Sequence, residues 1–293
     1  MALKLFRKAP SVAVVKSGTQ VVKKKKGADG GLARELTGQT LGRKHLLQDV
    51  VKKGYKTIEE WRDIKPEGQS ISYRTLVRLH RENRPYFSDN LAHRLRRALS
   101  WIRCAEETYA ADKDNKDGFF MFYWIAFNSA YAERANDVDQ SERRIFRDFL
   151  GKIVDLDHDK VIYQAIWERF PNVIRGILKN EHVFKWFWHV QHSDSDVSGW
   201  QRDFDRSWRK VQGALDRRDT KTIMVILFDR LYELRNQLLH GCATWKGGVN
   251  RAQVEDGAEI MAFLAPMMLK LMIENYEEDW KRPPYLKDSY EVI

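Results

Sequence analysis

The chain has 293 residues, of which 43% are hydrophobic, 31% charged and 12% aromatic, with ten Trp. That balance excludes a disordered chain and a collagen-like repeat, and it supplies enough aromatic mass for a sizeable core. Two cysteines, Cys104 and Cys242, exclude a disulfide framework and a cysteine-rich zinc module.

The longest apolar run, Ile260 to Leu269, is closed by Glu259 and Lys270 and is about half of the ~20 residues that cross a bilayer. The basic N-terminus, MALKLFRKAPSVAVVKSG, has no adequate apolar core before a cleavage site, so no secretory signal is read. The expectation is a soluble, reduced, cytoplasmic protein.

The net charge of +10 is unevenly placed. Residues 1–88 hold 20 Lys and Arg against 8 Asp and Glu, whereas residues 89–293 hold 31 against 33. All the excess positive charge therefore lies in the N-terminal third. Such asymmetry suits a module attracted to a polyanion, most often nucleic acid. The run Lys23, Lys24, Lys25 and Lys26 also suits a solvated tail, and the sequence does not decide between the two.

Residues 1–31 sustain neither a helical nor a strand period and read as a flexible basic arm. Residues 32–88 read as a small helical segment. Thr57 and Glu60 have the spacing of a capping box, Pro66–Gly68 makes a turn, and Ser72 can cap a second helix carrying Arg74, Arg78 and Arg81. Two short helices of which the second is basic match the layout of a helix-turn-helix, a route to DNA. An ordinary helical hairpin packed on the main domain fits the same residues.

From residue 89 to 293 the pattern is helical throughout. Ser88 and Asp89 open a helix through Leu91, Leu95, Leu99 and Ile102. After a polar break, a second helix carries Phe120, Trp124, Phe127 and Tyr131 at steps of four, three and four. Ser141 opens a third through Ile145, Phe149 and Ile153. A fourth covers Val161 to Leu178 with Pro171 interrupting, and residues 200–217 form an amphipathic charged helix. Thr220–His240 and Val249–Asn275 are long and close the chain, with Pro266 expected to kink the last. No alternating strand and no fixed repeat appears, so the fold class is all-α, a helical bundle with a basic, mostly helical N-terminal extension.

The stretch LYELRNQLLHGCATW, residues 231–245, carries the chemistry. Ile223, Leu227, Leu231, Leu234 and Leu238 form the apolar stripe of its helix, and Arg235, Asn236 and His240 fall off that stripe. Asn236 and His240 are one turn apart, and the long Arg235 side chain can swing toward the same groove. Gly241 suits a helix C′ position, which places His240 at the negative end of the helix dipole. A cation, an amide and an imidazole are the parts that cleavage of an RNA backbone needs. The 2′-OH is the nucleophile, a base and an acid handle its proton and the leaving 5′-oxygen, and a cation holds the phosphorane.

The motif R-N-x-x-x-H-G, Arg235 to Gly241, resembles the signature of the HEPN superfamily. Its flanks, VNRAQVEDGAEI, LAPMMLKLMIEN, a final W…P-Y segment and the upstream FYWIAFNSAY, resemble Apea-like HEPN proteins over roughly residues 90–290. The resemblance implies a HEPN-type bundle, commonly a homodimer in which two motifs face one cleft. It also implies a metal-independent endoribonuclease of toxin–antitoxin or phage-defence systems, with RNA as substrate and an antitoxin as a partner. Carried over, Arg235 would bind the scissile phosphate, Asn236 would orient the His or the phosphate, and His240 would act in acid–base catalysis. Some members bind RNA or nucleotides without cutting. That leaves a non-catalytic binding or DNA-directed regulatory module as the alternative, with a purely structural dimerisation bundle behind it.

Asn128 and Tyr131, on a helix expected to face the motif, are candidates to line the cleft. A buried Asn bonded to backbone fits the same position. His189 and His192 have no neighbouring ligand set at zinc spacing and read as surface histidines. The block Phe119–Phe127 reads as core. No phosphate-binding Gly loop is present, and no cofactor or metal is expected.

Overall fold

The computed structural model describes residues 70–133, 142–187, 199–248 and 250–285. Among these residues all regular structure is helical and no strand occurs, so the chain is an all-α bundle. No described helix is long and apolar enough to cross a membrane.

Helix α1, Tyr73–Asn83, starts where the Ser72 hydroxyl accepts the Thr75 N–H at 3.3 Å. Leu76 and Val77 are buried while the charged Arg74, Arg78 and Arg81 are exposed. The Ser70 hydroxyl donates to the Phe263 carbonyl at 2.7 Å, and the Tyr73 N–H donates to the buried Glu106 carboxylate. This element is part of the main bundle. The chain divides into two units, residues 1–57 and 58–293. The second helix of the expected helix-turn-helix is packed on the main domain. Its first helix, the basic arm and Lys23–Lys26 lie outside the described residues.

The Ser88 hydroxyl caps α2, Asp89–Ala111, at the Leu91 N–H. The Asn115 amide oxygen caps α3, Lys116–Tyr131, at the Gly118 N–H. Helix α4 spans Glu142–Asp155. The helical stretch expected over Val161–Leu178, with Pro171 interrupting, is three elements: α5, Val161–Gln164; a π-helical turn, Ala165–Arg169; and α6, Pro171–Lys179. Pro171 starts a helix rather than bending one, because a first-turn residue needs no N–H acceptor. The Asp157 carboxylate takes the orphan N–H groups of Val161, Ile162 and Tyr163 at 2.8, 2.9 and 3.0 Å. A 3₁₀ turn covers Glu181–Val183, followed by α7, Gly199–Asp216; α8, Thr220–Leu239; and α9, Arg251–Glu274. Helix α9 runs on through the buried Pro266 without a break in its helical span.

Helix α3 is the axis of the core. Phe120, Tyr123, Trp124 and Phe127 are almost fully buried, packed between α2 on one side and α9 on the other. The block Phe119–Phe127 is thus core. Pairings fix the directions. Asp117 meets Arg251, Phe120 lies beside Gly257, Leu231 and Leu234, and both Trp124 and Phe127 pack on Phe228. Helix α8 therefore runs antiparallel to α3, α9 runs parallel to it, and α8 and α9 are antiparallel neighbours. A Cβ on Gly257 would sit 3.1–3.2 Å from Leu234, Leu231 and Phe120. The missing methyl group lets three helices meet there.

Candidate functional site

The C-terminal end of α8 is built by its own sequence. His240 is the capping residue and its N–H donates to the Asn236 carbonyl at 2.9 Å. Gly241 adopts φ +71°, the left-handed conformation that glycine adopts at no steric cost. The chain then folds back so that the Gly241 N–H meets the Leu238 carbonyl at 3.3 Å and the Cys242 N–H meets the Gln237 carbonyl at 2.9 Å. That pair of bonds is a Schellman motif. It terminates the helix one residue after the apolar stripe ends and leaves His240 at the surface.

Ile223, Leu227, Leu231 and Leu234 are buried, Leu238 is half-buried, and Arg235 and Asn236 are half-buried beside the stripe. Arg235 lies roughly 140° round the helix from His240, with Asn236 between them. The Arg235 side chain swings back across this gap. Its Nη1 donates to Asn236 Oδ1 at 2.9 Å, and its guanidinium lies 5.7 Å from the Tyr232 ring centroid. Its Nε is buried and has no acceptor. Among the described residues no carboxylate pairs with Arg235, and the His240 imidazole has no hydrogen bond. Asn236 thus holds the arginine fork by its side chain and carries His240 by its backbone.

Gln237, an unnamed position inside the motif, is a structural hub that sequence reasoning missed. It is buried, donates from Nε2 to the His182 carbonyl at 2.6 Å and accepts from Asn250 Nδ2 at 2.6 Å. It ties the motif helix to the 3₁₀ turn before α7 and to the residue that opens α9. The connection after the motif is pinned at the head of α3. Arg251 grips Asp117 with two bonds of 2.8 and 2.9 Å, and the Lys246 N–H reaches the same carboxylate at 3.1 Å. Lys246 Nζ pairs with Asp112 at 2.8 Å, and the Trp245 indole donates to Asn115 Oδ1 at 3.2 Å. Burial opposes ionisation of Asp117, but the Arg251 fork and the Lys246 N–H outweigh it and hold the carboxyl below its ordinary value. Leu239, next to His240 in the chain, and Trp245 remain exposed.

The other candidates lie elsewhere. Because α3 and α8 are antiparallel, residues after Trp124 run toward the first half of α8, away from His240. Tyr131 is buried among Phe127, Phe146 and Phe149 and borders a cavity of about 830 Å³ shared with Trp280 and Arg94. Asn128 is half-buried, and its Oδ1 has no hydrogen-bond donor. Among the described residues neither contacts Arg235 or His240. Arg74, Arg78 and Arg81 form an exposed row on α1. No three His, Cys, Asp or Glu side chains among the described residues are placed to hold a metal ion, and His189 and His192 lie outside those residues.

Comparison of the chain with protein-family models, with curated proteins and with solved structures finds no match.

Proposed function

We propose that the chain is a metal-independent endoribonuclease that works through Arg235, Asn236 and His240. The observation that carries the reading is the Arg235–Asn236 hydrogen bond at a helix end that leaves His240 exposed. A guanidinium held by an amide, with no carboxylate pairing it among the described residues, keeps donors for a phosphate. In the proposed reaction the 2′-oxygen bonds to phosphorus and the 5′-oxygen leaves, giving a 2′,3′-cyclic phosphate and a 5′-hydroxyl. Arg235 neutralises the phosphorane. His240 moves one of the two protons, either off the 2′-OH or onto the departing oxygen. One imidazole per motif makes a shared cleft the natural arrangement, with the second group supplied by a second copy. Exposed Leu239 and Trp245 give an apolar edge on which that copy can close. Toxin–antitoxin or phage-defence settings, with an antitoxin as partner, are the contexts that the HEPN resemblance suggests.

The test is incubation of purified protein with total RNA in EDTA. Fragments ending in 2′,3′-cyclic phosphate are expected, with a decrease of roughly 10²–10⁴-fold in His240→Ala. Full cleavage by that variant removes the catalytic role.

A second reading, a non-catalytic RNA-, nucleotide- or DNA-binding regulatory module, draws on the exposed Arg74, Arg78 and Arg81 row. Salt-sensitive binding without any cleavage product selects it.

A further inference from the structure

The bundle contains two deeply buried arginines away from the motif, and they are treated differently. Arg94 is 2% exposed, and its fork is spent on three carbonyls: Lys281 at 2.8 Å and Ala130 and Ala132 at 2.7 Å each. Arg230, in α8, is 4% exposed. Of its five N–H donors, the protein uses one, from Nη2 to the Ser207 hydroxyl of α7 at 3.1 Å. Its Nε is buried without an acceptor, and among the described residues it enters no ion pair. The rings of Phe184 and Phe204 lie 4.4 and 5.6 Å from its guanidinium carbon, so its charge is desolvated and met by ring faces rather than by a bonded anion.

Arg230 lines a cavity of about 520 Å³ between α7, α8 and residues 184–186, a size that holds a small ligand. The wall carries more cations than anions. Of its carboxylates, Asp203 is taken by Arg206 at 3.0 Å and Asp229 by Arg147 at 3.4 Å, while Glu233 stands one turn along from Asp229. Lys185 and Lys210 also line it and form no ion pair among the described residues. Trp186 borders the same space and is 43% exposed, with the Lys185 ammonium 5.4 Å from its ring centroid.

We infer that this cavity is a nucleotide-binding site in which Arg230, flanked by Lys185 and Lys210, holds a phosphate monoester while the base stacks on Trp186. A buried guanidinium with unused donors is costly unless a ligand supplies the counter-charge, and a phosphate presents oxygens in the geometry of its fork. Burial pushes Arg230 down to about 10, against the opposing charges of Asp229 and Glu233, yet it stays cationic at neutral pH and keeps its demand for an anion. The lysines add charge at the mouth, and the aromatic ring gives a sequence-tolerant surface for a base. The site uses none of Arg235, Asn236 and His240, so it stands or falls apart from the ribonuclease reading.

The experiment is thermal shift and equilibrium binding with inorganic phosphate, uridine, uridine 5′-monophosphate and a 5′-phosphorylated oligouridylate. Phosphate should stabilise the protein, the monophosphate should stabilise it more, and uridine should do nothing. Equal affinity for monophosphate and oligonucleotide assigns the free nucleotide, and tighter binding of the oligonucleotide assigns a strand end. Arg230→Met removes a buried charge that no ion pair among the described residues holds, so it should fold while losing phosphate binding. Lys210→Gln, at an exposed position, should weaken binding about tenfold. Trp186→Ala should lower affinity for the monophosphate but not for phosphate. Unaltered binding in both Arg230→Met and Lys210→Gln, or binding abolished in Arg235→Ala instead, overturns the assignment. So does wild-type protein that binds none of the phosphorylated probes at millimolar concentration.

Discussion

Gln237 and Asn250 face one another across the connection between α8 and α9, amide to amide at 2.6 Å. The other end of the Gln237 side chain donates to the His182 carbonyl. The orientation of the helix end that presents His240 is therefore set by a buried amide whose neighbours in the sequence are the motif residues themselves.

Removing that amide should loosen the site without touching its chemistry. Gln237→Leu removes the donor to the His182 carbonyl and the acceptor of the Asn250 side-chain amide, a cost of about 1–3 kcal/mol. A lowered urea midpoint checks the stability, and RNA turnover should fall with Arg235 and His240 intact.

Arg235→Lys tests the fork. A lysine keeps the charge but cannot hold Asn236 Oδ1 and a phosphate with paired donors. Most RNA-cleaving activity should disappear while thermal stability stays near wild type, since Arg235 lies off the buried stripe. Activity unchanged in the lysine variant reduces the residue to a simple charge.

Gly241→Ala should cost about 1 kcal/mol, because φ +71° is disfavoured for any residue with a Cβ. No atom stands within 4 Å of the added methyl group, so the whole cost is backbone strain. Gly241→Asn, which tolerates the left-handed region better, should lie between the two in a thermal melt.

Asp117 makes stability depend on acid. Its folded value lies below the unfolded one, so its contribution is complete above the unfolded value of about 3.9 and disappears as pH falls through the folded value. Asp117→Asn should therefore be less stable than wild type at neutral pH, and the gap should close at low pH. Urea midpoints of both proteins across the acid range measure it. A gap that persists at the lowest pH contradicts the ion-pair origin.

Deleting residues 1–57 should weaken nucleic-acid binding and flatten its salt dependence. The slope should shrink by roughly 0.7 for every phosphate of a single strand that the arm neutralises. Deletion to residue 88 is a different experiment. It takes Leu76, Val77 and Phe87 out of the core and should unfold the bundle. Equal affinity after the shorter deletion makes the arm a solubility tail.

Much of this architecture can be read locally. Ser72 and Ser88 cap the helices that their positions announce, the stripe on α8 is buried where its spacing puts it, and Gly241 ends the helix as a C′ glycine. Local pattern fails where a partner is distant. The Asp117–Arg251 clamp joins residues 134 positions apart, and no periodicity marks either of them. Gln237 looks like a spacer because its two partners come from other elements. Arg230 reads as one more helix-surface cation until α7 and Phe184 cover it. Pro171 marks the break within Val161–Leu178, but the π-helical turn before it leaves no composition signal. Charge alone separates residues 70–88 from the bundle, but charge sits on the outer face of α1 while its inner face is apolar.

Two long tethers among the described residues, Ser70 to Phe263 and Arg94 to Lys281, join residues 193 and 187 positions apart. Closure of the core therefore has to wait for the last helix to be synthesised. Helix α3 leaves the ribosome more than a hundred residues ahead of α9, with Phe120, Tyr123 and Trp124 uncovered on the side that α9 will occupy. Folding is consequently late and non-local, and nascent chains that stop before Arg251 present an aromatic face to one another. Such fragments should aggregate unless a chaperone holds them, so a message cut before the Arg251 codon yields a chain that cannot close its core.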